Sequence, residues 1–316
     1  MRPGHFPVMV CLHTQNSLVS NACAFITRSL FSTGELSDSH TGTDRSEPFR
    51  RGCGDMCEQV VKYFQRQIKT KDGAEVTWSH AVNTRSKLVE ALQGPNLMIE
   101  ADIIVRGHDP KEPVMGHPPD TDSDITLKEW LEGVKMYGKG IKLDFKSMEA
   151  LSLSVGLLQE VQAQFTSPVW INADILRGPG SQVSPLEPQV FLAAVRTLPT
   201  NVVLSLGWTT KWDAGTDNSG YSWEMVHEME DICRGLQHLV TFPVRGALLA
   251  QSVSELTWLL QQSDRYSLTV WTGQNDELKV QDLLPYRTCI DVRRICYDIP
   301  EALRTELIKE TVQDET

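Results

Sequence analysis

The 316-residue chain contains no Asn-x-Ser/Thr sequon, and no stretch approaches the roughly 18 consecutive apolar residues that mark a membrane-spanning helix. The first absence leaves nothing to mark the chain as a glycoprotein; the second leaves no transmembrane segment to argue for. Positive charge is scarce. Thirty Lys and Arg against 41 Asp and Glu leave a net charge of −11. Nucleic acid or an anionic membrane surface is therefore a poor main partner, whereas a metal ion or a cationic ligand suits the balance. The seven cysteines, Cys11, Cys23, Cys53, Cys57, Cys233, Cys289 and Cys296, fit no zinc-module spacing. They are expected to be reduced, structural thiols in the cytoplasm, with an extracellular setting as the alternative. The apolar stretch Phe6–Leu12 makes a weak secretory signal. Gly178-Pro-Gly180 lacks the further glycine and the lysine of a phosphate loop.

What the chain does contain is alternation. Eight short apolar segments recur: Glu75–His80, Leu97–Val105, Ile141–Lys146, Val169–Asp174, Asn201–Gly207, Leu239–Gly246, Ser267–Gly273 and Thr288–Ile295. Each is followed by a helix-like or irregular stretch. Strands alternating with helices at this count predict an α/β fold, a closed (β/α)8 TIM-type barrel, which takes about 250 residues. The expected organisation is a disordered extension over 1–53, the barrel over 54–305 and a C-terminal tail over 306–316. Gly54–Lys69 has helical spacing and is expected to close one end of the barrel. Thr84 is placed to cap a helix, and Thr126/Glu129 and Ser252/Glu255 read as capping boxes. Arg106–Met115 reads as a hairpin extension of the second strand rather than a helix.

Polar residues inside the strands fall at period two: Glu100 and Asp102; Lys142, Asp144 and Lys146; Asn172 and Asp174; Ser205 and Gly207. Side chains two apart share one face of a strand, and in a barrel one face points inwards. Barrel interiors are ordinarily filled by branched apolar side chains, and chemistry gathers at the C-terminal strand ends. A polar inward set there reads as the floor of a site. The candidate constellation is His80, Glu100, Asp102, His117 and Asp144. Three carboxylates brought together repel unless protons or a cation neutralise them, and oxygen ligands of this kind suit Ca2+ or Mg2+. Such an ion polarises a phosphoryl oxygen, while two histidines can act as general base and general acid. In outline that is a phosphodiesterase, acting on a small phosphodiester or lipid-derived ligand.

A resemblance sharpens this. Thr77-Trp-Ser-His-Ala-Val-Asn-Thr84, Met98-Ile-Glu-Ala-Asp102 and Pro113-Val-Met-Gly-His117 resemble the opening of the glycerophosphodiester phosphodiesterases, and Asp144 with Lys146 resembles their third-strand acid-x-Lys pair. The stretch from about Gly54 to Pro300 is similar to the menorin family, to its single-domain vertebrate members in particular. Gly140-Ile-Lys-Leu-Asp-Phe-Lys146 and Trp170-Ile-Asn-Ala-Asp174 carry that likeness further. The resemblance implies His80 and His117 as the acid/base pair and Glu100, Asp102 and Asp144 as metal ligands. It also marks departures. The phosphodiesterases have His-Arg-Gly where this chain has His80-Ala81-Val82, His-Asp where it has His117-Pro118, and more commonly Glu at the third metal position. A phosphate clamp must then come from elsewhere, and Lys142, Lys146, Asn172, Lys211 and Arg245 are the substrate-binding candidates. Menorins elsewhere act in cell-surface assemblies that guide neuronal branching, so a non-catalytic binding protein with a protein partner is the alternative reading.

Overall fold

In the computed structural model, the described residues are 59–162 and 164–313. The expected disordered extension, with Cys11, Cys23, Cys53 and Cys57, lies outside them. Nine strands form one sheet: β1 Trp78–Ser79, β2 Met98–Val105, β3 Pro113–Met115, β4 Gly140–Phe145, β5 Val169–Arg177, β6 Val203–Thr209, β7 Leu239–Arg245, β8 Tyr266–Trp271 and β9 Ile295–Asp298. The order is β1-β2-β4-β5-β6-β7-β8-β9, every neighbour parallel, with β3 antiparallel on the end of β2 as the expected hairpin. The helices are α1 Gln59–Tyr63, α2 Arg85–Gln93, α3 Leu127–Val134, α4 Met148–Gln162, α5 Pro188–Val195, α6 Trp223–Cys233, α7 Val253–Gln261, α8 Leu284–Cys289 and α9 Glu301–Gln313. This is the (β/α)8 architecture.

Alternation along the strands divides the molecule. Outward residues such as Ile99, Ala101 and Ile103 on β2, Ile141, Leu143 and Phe145 on β4, and Leu204 and Leu206 on β6 are fully or almost fully buried under the helices and form the main core. Inward residues at the strand starts, Met98, Trp170, Val203 and Cys296, join Val60, Val61 and Phe64 in a second apolar cluster that floors the barrel. Above that floor the interior turns polar. The registers set Glu100 beside Lys142, Asp102 beside Asp144, Asp144 beside Asn172, and Asp174 beside Gly207.

The ring has a seam, because β9 and β1 share no ladder among the described residues. Side chains bridge it instead. At one end Arg287 holds Asp72 through two hydrogen bonds, at 3.1 and 2.5 Å, and Gly73 packs where an added Cβ would lie 2.1 Å from the Ile295 carbonyl oxygen. At the other end His80 meets Asp298.

Several local expectations are corrected. The last strand is Ile295–Asp298, not Thr288–Ile295. Pro285 in the first turn starts α8, and Asp291 caps a 3-10 turn over Val292–Arg294 before the chain extends. Thr84 and Thr126 cap their helices as expected, the latter in a full box. Ser252 does not: its Oγ accepts from the Tyr221 N–H at 2.8 Å and donates to the Leu248 carbonyl at 2.8 Å, so it ties a loop to a turn. Cys233 and Cys296 are free and buried, but Cys289 is disulfide-bonded, against the expectation of reduced thiols throughout. Helix α9 runs across the boundary expected at residue 305.

Candidate functional site

The C-terminal strand ends surround a cavity of about 460 Å3 whose lining includes His80, Asn83, Glu100, Asp102, His117, Lys142, Asp144, Lys146, Asn172, Asp174 and Asp298. Strand β2 carries two inward acids, Glu100 and Asp102, because its alternation continues unbroken from Met98, and their surroundings are tied down on both sides. Asn83 donates to Asp102 Oδ2 at 2.8 Å and accepts from the Asp102 N–H at 2.9 Å. The buried Trp130 indole donates to the Val82 carbonyl at 2.9 Å and holds the same loop. At its tip Ala81 takes a left-handed conformation, φ 52°, and its N–H donates to Glu100 Oε2 at 2.8 Å. A non-glycine residue there is strained, and the strain is spent on aiming an amide at a buried carboxylate.

The charges are interleaved. Lys146 Nζ lies 2.8 Å from both Asp102 Oδ1 and Asp144 Oδ2, and Lys142 Nζ lies 3.6 Å from Glu100 Oε1. His80 Nδ1 lies 2.7 Å from Asp298 Oδ2 and 3.6 Å from Glu100 Oε2. Below them Ser205 donates to Asn172 Oδ1 at 2.6 Å, and Asn172 in turn hydrogen-bonds Asp144. His117 sits exposed on the rim, its Nδ1 2.7 Å from the Pro118 carbonyl oxygen. Glu100, Asp102 and Asp144 each offer one oxygen, all within 4.8 Å of one another.

The family profile described as the Menorin N-terminal domain matches residues 72–304. The chain belongs to the menorin family. This menorin is 49% identical over 254 residues to protein FAM151B of Homo sapiens, a match that spans 79% of this chain and 92% of that one. Among solved structures it is similar to a glycerophosphoryl diester phosphodiesterase from Parabacteroides distasonis ATCC 8503, with a TM-score of 0.47 and 13% identity over 81% of this chain and 93% of that one.

Burial opposes charge on the menorin's His80, but the hydrogen bond to Asp298 and the charges of Glu100 and Asp298 outweigh it and raise its pKa to about 9. Burial also pushes Asp144 upward, yet Lys146 and Lys142 bring it down to about 2. Asp102 is raised, by burial and by Glu100, against the pull of Lys146. Asp174 is raised to about 7 by burial and then by the charge of Asp144. The cavity lining holds five carboxylates, Glu100, Asp102, Asp144, Asp174 and Asp298, against three basic side chains, His80, Lys142 and Lys146. Three clustered hard oxygen donors in so acidic a lining fit one divalent cation. Such an ion would have to displace Lys146 from Asp102 and Asp144.

Of the expected site residues, the structure brings His80, Glu100, Asp102, His117, Lys142, Asp144, Lys146 and Asn172 to one cavity. Two of the expected phosphate-binding residues are not in its lining. Lys211 pairs with Asp213 at 2.6 Å. Arg245 is held by Asp276, Nε to Oδ2 at 2.8 Å, and lies over the Trp271 ring. Trp271 lines the cavity, whereas Trp208 packs outward against Tyr221 and Phe242. Asp298 is absent from the sequence-based set. The signal for it was the apolar Ile295–Tyr297 run ending in an acid and followed by Pro300.

Proposed function

We propose that this menorin is a divalent-metal-dependent phosphodiesterase, acting on a glycerophosphodiester or a related diester. The observation that carries the reading is the trio Glu100, Asp102 and Asp144, with oxygens within 4.8 Å at the mouth of a barrel. Ca2+ or Mg2+ held there supplies a Lewis acid for a phosphoryl oxygen. The protein's own part is proton transfer and positioning. The Asp298 carboxylate takes the Nδ1–H of His80, which leaves Nε2 for a proton in transit. His117 likewise turns Nδ1 to a carbonyl and keeps Nε2 for the cavity. One imidazole accepts the proton of the attacking water or substrate hydroxyl as the new P–O bond forms. The other gives a proton to the alkoxide that leaves. With Ala81 in place of a phosphate-gripping arginine, Lys142 and Lys146 are the cationic groups at hand. Lys146, which pairs with Asp102 and Asp144 in the absence of an ion, would be available to the phosphate if those carboxylates held one.

The test is hydrolysis of a panel of phosphodiesters with Ca2+, Mg2+ or chelator, comparing the parent with His80→Ala. Metal-dependent turnover that disappears in the variant is the expected result. No turnover, with metal still raising the melting temperature, would instead describe a barrel that keeps an ion to bind a ligand or partner.

A further inference from the structure

His117 is held less directly than His80. It is exposed on the rim, and among the described residues its side chain makes a single hydrogen-bonding contact, to the carbonyl of the neighbouring Pro118. That contact is local and ties the imidazole to no strand. His80, by contrast, is held across the seam by Asp298. The place of the His117 ring is therefore set by its backbone, in the loop of residues 116–126 between β3 and α3.

That loop is fastened to two walls of the mouth. It leaves β3 with the Gly116 N–H donating to the Asp102 carbonyl at 2.9 Å, and a Cβ on Gly116 would lie 3.0 Å from Ile104 Cδ1, so the chain runs close against β2. On one side Asp122 meets the β2–β3 connection. Arg106 Nε donates to its Oδ1 at 2.8 Å, His108 Nε2 lies 3.0 Å from its Oδ2, and the Gly107 N–H donates to the Thr121 carbonyl at 2.6 Å. On the other side Ser123 Oγ donates to the Asn83 carbonyl at 2.9 Å. Asn83 is the residue that grips Asp102, and it stands three positions after His80. The loops bearing the two histidines thus share one fixture, made of adjacent side chains that reach to different walls.

These fastenings add little to stability. Asp122 is 48% exposed, and ion pairs at such positions contribute little. Ser123 supplies one neutral hydrogen bond. Their leverage is geometric, because a displacement of about 1 Å at a reacting group can cost about a hundredfold in rate. We propose that Asp122 and Ser123 are positioning residues for His117, acting through the loop between β3 and α3 to set its imidazole against His80 across one phosphorus. This inference rests on the phosphodiesterase reading above. Neither residue lines the cavity, so each acts only through the loop.

The test uses the full chain with Mg2+ or Ca2+ and the diester of the panel that the parent cleaves fastest. Asp122→Ala should lower kcat by about tenfold or more, with KM and the melting temperature close to the parent's. Asp122→Glu, which keeps the charge, should recover much of the loss. Ser123→Ala should act in the same direction by a smaller factor. In the His117→Ala background both alanine substitutions should be nearly silent, because residues that act as one unit do not give additive losses. In metal-free protein the His117 imidazole resonances should shift in Asp122→Ala while those of His80 hold. Losses that multiply with that of His117→Ala, a kcat that neither substitution lowers, or unmoved His117 resonances overturn the inference and leave the phosphodiesterase standing. A parent that cleaves no diester with metal present overturns both.

Discussion

Along β4, Ile141, Leu143 and Phe145 point outward into the apolar layer beneath the helices, while Lys142 and Asp144, one position away, point inward and pair with charged groups. The same contrast repeats on β2 and β5. Outward residues supply the favourable burial that folds the barrel, roughly 1.5–3 kcal/mol for each large aliphatic side chain. Inward residues at the mouth are buried charges, which are costly unless paired. The difference teaches that this fold keeps stability and chemistry on opposite faces of the same strands. The outer shell can therefore carry a mouth arranged for something other than stability.

Four experiments would break or sharpen that contrast. The largest effect belongs to the inner face: His80→Ala should lower diester turnover by about 10²–10⁴-fold, the usual contribution of a general acid or base, in a protein that stays folded but melts somewhat lower for want of the Asp298 pair. A variant that unfolds instead would place His80 with the structural shell. Next comes the outer face. Leu143→Ala should cost about 2–5 kcal/mol in denaturant unfolding, with the metal response intact in the folded fraction. A mild loss there would mean that the layer under the helices is not the main source of stability.

Third, Ca2+ or Mg2+ at a hundredfold excess over its Kd should stabilise the parent by about 2.7 kcal/mol, read by thermal shift. Asp144→Ala should lose that response, and the metal-free protein should also lose stability, because Lys146 is left with one carboxylate fewer in a buried site. An undiminished response would remove Asp144 from the ion site.

The smallest effect is in the pH dependence. His80 has a folded-state pKa of about 9 against an ordinary 6.5. The stability it contributes as a cation is therefore fully present below pH 6.5 and lost as pH rises through about 9. Asp298→Asn removes the hydrogen-bonded charge and should flatten that alkaline decline in metal-free protein. NMR titration should show the His80 pKa falling towards its ordinary value. An unchanged titration would mean that Asp298 does not hold the imidazole.

Much of this was legible in the sequence, and the failures have physical causes. The inward acids could be found because a strand alternates strictly, so Glu100, Asp102 and Asp144 could not be inward without also being together at the mouth. The last strand could not be found the same way. Ile290 and Val292 precede it with comparable apolarity, and only the capping of the 3-10 turn by Asp291 decides where extension begins. That seven-residue displacement of the strand's start hid Asp298, which lay beyond the expected strand. Lys211 and Arg245 stand near strand ends as expected, but their carboxylate partners, Asp213 and Asp276, lie in loops whose return path no spacing rule predicts. Asp174 was visible as an inward acid. Its lack of a side-chain hydrogen bond among the described residues is a fact of three dimensions.

The seam between β9 and β1 gives the molecule a built-in reporter. Most of the ring is held by backbone ladders. Here the mouth-side fastening is the His80–Asp298 pair, the same group proposed to carry protons. Whatever draws His80 away from Asp298 also slackens that joint. Amide hydrogen exchange along Ile295–Asp298 should then record the state of the cavity, with no need to know the substrate in advance.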